Sequence, residues 1–266
     1  MVGVTPLVRV LRRRSVVMTG LALLALAFSL ADAGTRAGMQ HALAASAGVN
    51  RRLPIYAVAT DEQVLAISFD AAWGSERTPE ILEVLARYDV RTTFFLVGFW
   101  IDRYPEVLRQ IVDAGHEVGN HTASHPHLNS LSREQIAREL EIVHRQLEEA
   151  TGKAPYLFRP PFGEYSNKVI EVAEELGYLT IQWSVDSLDW KDVTARQIAA
   201  RVLDRAHPGA IILFHNNAEN TPVALPAIIE TLQTRGYRVV PISELVRRED
   251  FYIDHRGFQH PRRDPR

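Results

Sequence analysis

The sequence predicts an α/β fold, a barrel of about seven parallel strands, on three observations. Once the first fifty or so residues are set aside, roughly 200 remain, a length that suits one (β/α) barrel. From Pro54 onward, short apolar or β-branched runs alternate with helical patterns, as repeated βα units around a parallel sheet require. Asp70, Asn120 with His121, Arg159, Asp186 and His215 each stand at or just past the C-terminal end of such a run. That edge is where barrels of parallel strands gather their active-site loops.

Arg9, Arg12, Arg13 and Arg14 precede an apolar run from Val16 to Ala31, so residues 1–33 read as a signal peptide or membrane anchor, with Ala31 and Ala33 offering a cleavage site. Residues 34–53 are rich in Ala and Gly without a clear period and read as a flexible spacer. The catalytic domain is expected over 54–248. A lead-in strand, Ile55 to Val58, precedes seven strand candidates: Val64 to Phe69, Thr92 to Leu96, Glu117 to Gly119, Leu157 to Arg159, Leu179 to Val185, Ala210 to Phe214 and Tyr237 to Pro241. Helical patterns fall near Thr78–Tyr88, Tyr104–Ala114, Ser132–Ala150, Asn167–Leu176, Ala195–Ala206 and Ala224–Arg235. Ser132 with Gln135 has the spacing of a capping box, and Gly152 of a helix stop. Residues 249–266 are polar, carry Pro261 and Pro265, and are expected to hang loose as a tail.

The formal charge of −2, with acidic and basic residues interspersed, provides no field to draw the chain onto nucleic acid. A cysteine count of zero removes disulfides, thiolate metal sites and cysteine nucleophiles together, so any metal must sit on nitrogen and oxygen. The export signal places the domain outside the cytoplasm, secreted or at the cell surface, with the membrane touched only by the N-terminal segment. A monomer is expected.

Five segments carry the chemistry. His121-Thr-Ala-Ser-His125 sets two imidazoles four residues apart, which on a helical turn face the same way, as a divalent cation requires; two satisfied loop histidines explain the pattern about as well. His127 points elsewhere on such a turn and reads as structural. Asp70 ends an apolar strand, as a helix cap or as a functional carboxylate. Arg159-Pro160-Pro161-Phe162-Gly163 sets a guanidinium beside two rigid prolines, able to hold a carboxylate bidentately. Asp186-Ser-Leu-Asp189-Trp190 places carboxylates beside an indole, and His215 ends the strand Ala210–Phe214. An amide is hydrolysed only if something activates water, stabilises the oxyanion and protonates a poor amine leaving group; these residues supply each role once.

In this order and at these spacings the set resembles the five motifs of the polysaccharide deacetylases, carbohydrate esterases with a NodB-type domain. Ser68-Phe69-Asp70 resembles the first motif, His121-Thr122-x-x-His125-Pro126 the second, Arg159-Pro160-Pro161-Phe162 the third, Asp186-x-x-Asp189-Trp190 the fourth and Leu213-Phe214-His215 the fifth. The resemblance implies a distorted, incomplete barrel and removal of N-acetyl groups from N-acetylglucosamine or N-acetylmuramic acid of peptidoglycan or a chitin-like glycan. It also implies a divalent metal on His121 and His125, Zn²⁺ first, Co²⁺ or Mn²⁺ as alternatives. Asp70 would be the general base, oriented by Arg159. The backbone N–H of Phe162 would share the oxyanion. His215 would be the acid, aimed by Asp189, and Trp190 and Leu213 would line the acetyl pocket.

The first motif departs from the family's usual pair of aspartates: Asp70 is followed by Ala71-Ala72-Trp73-Gly74. The metal would then rest on two histidines with water and substrate, recruit Asp70 or Glu76, or be absent. Phe-Asp-x-x-Trp-Gly is similar to a subgroup of these deacetylases found in spore-forming bacteria, which suggests peptidoglycan. Two other readings compete: a glycan-binding surface protein that lost its metal ligand at Ala71, and a hydrolase of small amides or imides on the same barrel.

Overall fold

The computed structural model describes residues 51–191 and 193–262. The export segment, residues 34–50 of the spacer and residues 263–266 lie outside them.

In chain order the elements are β1 (Ala57–Val58), β2 (Val64–Ala71), α1 (Thr78–Arg87), β3 (Thr93–Leu96), α2 (Gly98–Arg103), α3 (Pro105–Asp113), β4 (Glu117–Asn120), α4 (Arg133–Thr151), β5 (Leu157–Phe158), α5 (Asn167–Glu175), β6 (Leu179–Thr180), β7 (Val185–Asp186), α6 (Ala195–Arg205), β8 (Ile211–His215), α7 (Thr221–Thr234), β9 (Arg238–Val239), α8 (Ile242–Leu245), β10 (Phe251–Ile253) and β11 (Phe258–Pro261). The main sheet runs β6-β5-β4-β3-β2-β8-β7, every pair parallel, with β9 beside the start of β2. Strands β6 and β7 are separated only by residues 181–184, yet they stand at opposite edges of that order. The sheet must therefore curl until its edges approach, which makes the expected incomplete barrel.

The period-2 geometry of β2 sorts the core. Leu65, Ile67, Phe69 and Ala71 face outward into an apolar layer shared with Phe94, Phe214 and the α1 and α7 side chains Ile81, Leu85, Ile228 and Ile229. Val64 and Ala66 face inward with Phe95, Leu157, Ile181 and Ile211. Ser68 and Asp70 continue that inward face toward the C-terminal mouth, so the alternation that builds the core also aims Asp70. The expected capping box at α4 is present: Ser132 Oγ accepts from the Gln135 N–H, the Gln135 side chain accepts from the Ser132 N–H, and Gly152 ends the helix at φ 69°.

Three expectations are corrected. The run Leu179 to Val185 is two short strands on opposite sheet edges rather than one. The lead-in strand pairs within a separate three-stranded sheet, β1-β11-β10, and meets the barrel through isolated bridges, Ile55 with Ile181 and Ala57 with Ala210. The segment expected to hang loose supplies the other two strands of that sheet. Its hairpin is built on Asp254, whose Oδ1 accepts from the N–H groups of Arg256 and Phe258 at 2.9 Å each, and on Gly257 at φ +85°. Gln259 is fully buried, and its amide both accepts from and donates to the Arg247 backbone at 2.8 Å. These local bonds satisfy the polar groups that made the segment read as loop. No helix among the described residues is long and apolar enough to cross a membrane.

Candidate active site

Asp70, near the end of β2, and Arg159, just past β5, meet inside the mouth. Arg159 is fully buried: Nη1 donates to Asp70 Oδ1 at 2.7 Å, while Nη2 donates to Ser68 Oγ at 2.9 Å and to the Gln182 carbonyl at 3.2 Å. Its guanidinium lies 4.1 Å over the Phe95 ring, so an aromatic face as well as a carboxylate offsets the burial of the charge. The grip on Asp70 is one hydrogen bond rather than the bidentate fork expected, which leaves Oδ2 free and directed at His121 Nε2, 3.6 Å away. Burial alone would raise the Asp70 pKa, but Arg159, then His121 and His215, outweigh it and hold the carboxyl below its ordinary value.

His121 follows β4 and is buried. Its Nδ1 lies 2.7 Å from the Arg159 carbonyl, which can only accept, so Nδ1 carries the proton and Nε2 presents a lone pair. Burial, more than its neighbours, keeps this ring neutral. His125 is not one helical turn away, as expected, but at the end of a loop in which Thr122 (φ 71°) and His125 itself (φ 56°) occupy the left-handed region. The loop still brings the two rings to 5.0 Å between centroids. Burial and then His121 push His125 down to about 4. Its buried Nδ1 has no partner among the described residues.

These features test the fit of a metal. A fixed Nε2 lone pair on His121 and an unpartnered ring nitrogen on His125 are donors of the right kind. A third is missing: among the described residues no group of three His, Cys, Asp or Glu side chains converges. The Ala71 methyl lies on the outward face of β2, in the apolar layer with Phe69. Of the two alternative ligands, Glu76 is spent on its own loop, accepting from the Ser75 N–H at 3.0 Å, and does not line the cleft, whereas Asp70 does, with Oδ2 3.6 Å from His121 Nε2.

On the other side of the mouth His215 ends β8. Asp189 Oδ1 accepts from its Nδ1 at 2.8 Å, and Oδ2 accepts both from the His215 backbone N–H at 2.8 Å and from the Thr221 hydroxyl at 2.6 Å. Burial disfavours the imidazolium, but the Asp189 hydrogen bond and charge, then Asp70 and Asp186, overcome it and raise the His215 pKa above its ordinary value. The surroundings push these two groups apart, favouring the ionised carboxylate at Asp70 and the imidazolium at His215, the pair of states that general acid–base chemistry uses.

A cleft of about 850 Å³ joins the two halves, lined among others by Asp70, His121, His125, Phe162, Asp186, Asp189, Trp190, Leu213 and His215. Asp186 reaches it, but its Oδ1 is occupied by the Leu188 N–H at 2.8 Å. Phe162 sits at φ 59°, held between Pro160-Pro161 and Gly163, with its ring stacked on His127 at 4.4 Å and against the edge of His125 at 4.5 Å. His127, read as structural, also contacts Glu164 at 3.1 Å. Trp73 and Asn216 on the cleft wall, and Thr221, which orients Asp189, lie in the loops Trp73 to Thr78 and Asn216 to Val223, where the sequence places substrate choice without fixing the conformation or assigning Thr221 a role. Thr221 opens α7, well past the end of β8, where a one-dimensional pattern carries no signal for it.

Comparison with known proteins agrees with this geometry. The polysaccharide deacetylase family model matches residues 57–181. The chain is 36% identical to a peptidoglycan-N-acetylglucosamine deacetylase of Bacillus cereus over 71% of this chain and 91% of that protein. It is 34% identical to the uncharacterized protein YlxY of Bacillus subtilis, over 73% of this chain but only 60% of that one. Among solved structures it resembles a CE4 family pseudoenzyme of Bacillus anthracis (36% identity, TM-score 0.71, 78% of this chain and 72% of that one). A mutant of that pseudoenzyme with restored enzymatic activity matches at 38% identity, with TM-score 0.71 over 73% of this chain and 71% of that one. The motifs, the incomplete barrel and these relatives converge: the chain belongs to the polysaccharide deacetylase family, CE4, with a NodB-type domain.

Proposed function

We propose that this chain removes N-acetyl groups from N-acetylglucosamine or N-acetylmuramic acid residues of peptidoglycan or a chitin-like polysaccharide, outside the cytoplasm. The observation that carries the reading is the pair of opposed ion pairs facing one cleft, Asp70 with Arg159 and His215 with Asp189. Asp70 takes the proton of the attacking water on Oδ2, the oxygen Arg159 leaves free. His215, held protonated by Asp189, delivers a proton from Nε2 to the departing sugar amine. The Phe162 N–H, presented by the left-handed turn, donates to the oxyanion, and Leu213 with Trp190 forms the apolar wall for the acetyl methyl. His121 and His125 would hold a divalent cation, Zn²⁺ first, Co²⁺ or Mn²⁺ as alternatives, which when bound supplies polarisation of the acetamide carbonyl. The proposed protein works as a monomer and engages no nucleic acid.

A second reading is a glycan-binding surface protein without turnover. Ala71 and the likeness to a pseudoenzyme favour it. Mass spectrometry of N-acetylglucosamine oligomers and peptidoglycan fragments, incubated with the protein and Zn²⁺, Co²⁺ or Mn²⁺, decides. Metal-dependent loss of acetyl supports the hydrolase; glycan binding with no loss under any metal supports the binder.

A further inference from the structure

The loop after Asp70 exposes a large aromatic side chain that neither the acid–base machinery nor the core uses. Trp73 is 65% exposed, yet the turn that carries it is hydrogen-bonded to side chains distant in the chain. The Gly74 carbonyl accepts from Trp100 Nε1 at 2.7 Å and from Asn216 Nδ2 at 3.0 Å. The Arg77 N–H donates to Asn217 Oδ1 at 3.2 Å. Gly74 has φ +68°, where a side chain is strained, and a Cβ there would meet Asn217 Nδ2 at 2.1 Å and have to displace that amide. The indole meets the His125 ring edge-on, centroids 4.8 Å apart, and lies 6.4 Å from Phe99, itself 38% exposed. Phe99 is fixed in turn: the Gly98 and Phe99 N–H groups donate to the Thr122 and Ala123 carbonyls at 2.9 and 3.1 Å. The fold thus holds a ledge of Trp73 and Phe99, continuous with His125 at the edge of the cleft.

An exposed indole on a rigid turn loses hydrophobic burial without any gain to the core, whereas its pre-set position removes the ordering cost of binding a flat apolar face. On the reading that the substrate is a glycan, the cleft holds the acetylated sugar against Leu213 and His215. The ledge lies outside the acid–base pairs but shares Trp73 with the cleft wall. The carbon-bound hydrogens of a pyranose face are the ligand chemistry that an aromatic ledge takes. We infer that Trp73, supported by Phe99, is the stacking platform for the sugar next to the one deacetylated. The ledge therefore selects oligosaccharide strands over single sugars. The inference rests on the glycan reading, though not on turnover.

Calorimetric titration of the intact protein with tetra-N-acetylchitotetraose and with N-acetylglucosamine tests it, alongside acetyl release from the tetramer. Trp73→Ala is expected to weaken tetramer binding by about tenfold or more, the scale of one lost aromatic contact. Its effect on the single sugar should be clearly smaller. Trp73→Phe should restore part of the loss, and Tyr252→Ala, an exposed aromatic on β10, should change neither affinity. Circular dichroism of each variant confirms the fold. Unchanged tetramer affinity in Trp73→Ala, equal losses for tetramer and single sugar, or no tetramer binding by the unmutated protein would each overturn the platform. Trp73-dependent binding with no acetyl release from the tetramer or from peptidoglycan fragments under Zn²⁺, Co²⁺ or Mn²⁺ would leave the platform standing and defeat the deacetylase reading alone.

Discussion

Replacing Asp189 by asparagine isolates the electrostatics of the acid. The Asp189 carboxylate is surrounded by three donors, the His215 Nδ1–H, the His215 backbone N–H and the Thr221 hydroxyl, at 2.8, 2.8 and 2.6 Å. An asparagine carbonyl can satisfy the latter two from the Oδ2 position, which turns its NH₂ toward His215 Nδ1. The imidazolium, with a proton on both nitrogens, then faces a donor, whereas a neutral ring with its proton on Nε2 can accept. The lost interaction is a buried charge-assisted hydrogen bond worth about 1.5–3 kcal/mol. At about 1.36 kcal/mol per pKa unit this lowers His215 by roughly one to two units. Because the folded-state pKa of His215 is raised, its contribution to stability is fully present below the ordinary histidine value and is lost as pH rises through the folded value. The Asp189→Asn variant should flatten that dependence and move the basic limb of kcat/KM downward by the same shift. The assay is the pH profile of acetyl release, paired with NMR titration of the His215 ring. A ring that titrates at the same pH in both proteins would refute the role assigned to Asp189.

Asp70→Asn is expected to cut turnover by about 10²–10⁴-fold, the usual contribution of a general base, with a far-UV spectrum unchanged; activity near that of the unmutated protein would remove Asp70 from the role. Arg159→Leu leaves the Asp70 carboxylate buried without its cation and should cost roughly 3–5 kcal/mol in urea unfolding. Since the Asp70 pKa is depressed in the folded protein, its contribution is present above the ordinary carboxylate value and lost as pH falls; in Arg159→Leu that acid-side dependence should shrink or reverse, and persistence of the normal profile would contradict the pairing. Ala71→Asp introduces a carboxylate into the apolar layer beside Phe69, so its melting temperature in chelator should fall. Added Zn²⁺ should raise it by more than it raises the unmutated protein only if the end of β2 re-aims that side chain from the outward layer to His121 and His125. No metal-dependent gain would show that position 71 does not complete the site.

What was legible in the sequence was what strand geometry alone determines. Asp70, Arg159 and His215 end or follow apolar runs, and a parallel barrel has one edge where such ends gather, so their convergence follows from the run boundaries. The capping box at Ser132 was legible because its bonds are local. The His121–His125 loop was not, because the pairing of the rings depends on left-handed conformations at Thr122 and His125, which neither residue type announces. The β10–β11 hairpin was hidden for the opposite reason: its polar residues bond one another and the Arg247 backbone, and polarity alone cannot distinguish a satisfied strand from a loose tail. Trp73 was visible as a letter in Phe-Asp-x-x-Trp-Gly, but its exposure depends on contacts from Trp100, Asn216 and Asn217, all distant in the chain.

The choice between a hydrolase and a binder turns on what the two ion pairs cost. Asp70 and Asp189 are buried, as is Arg159, and removing such groups from water is expensive even when they are paired. Apolar residues of similar volume would fill the same space with equal or greater stability, so packing does not explain a fully buried Arg159 aimed at one oxygen of Asp70. Nor does sugar binding need the other oxygen left free, or a His215 held protonated across the cleft by a carboxylate that also engages Thr221. Proton transfer needs both. Ala71 weakens the case for a tightly held metal while leaving this acid–base pair intact. A site of this kind is expected to show activity that rises with added cation over a wide concentration range and disappears on chelation, whereas a binder would hold glycan equally well at every cation concentration.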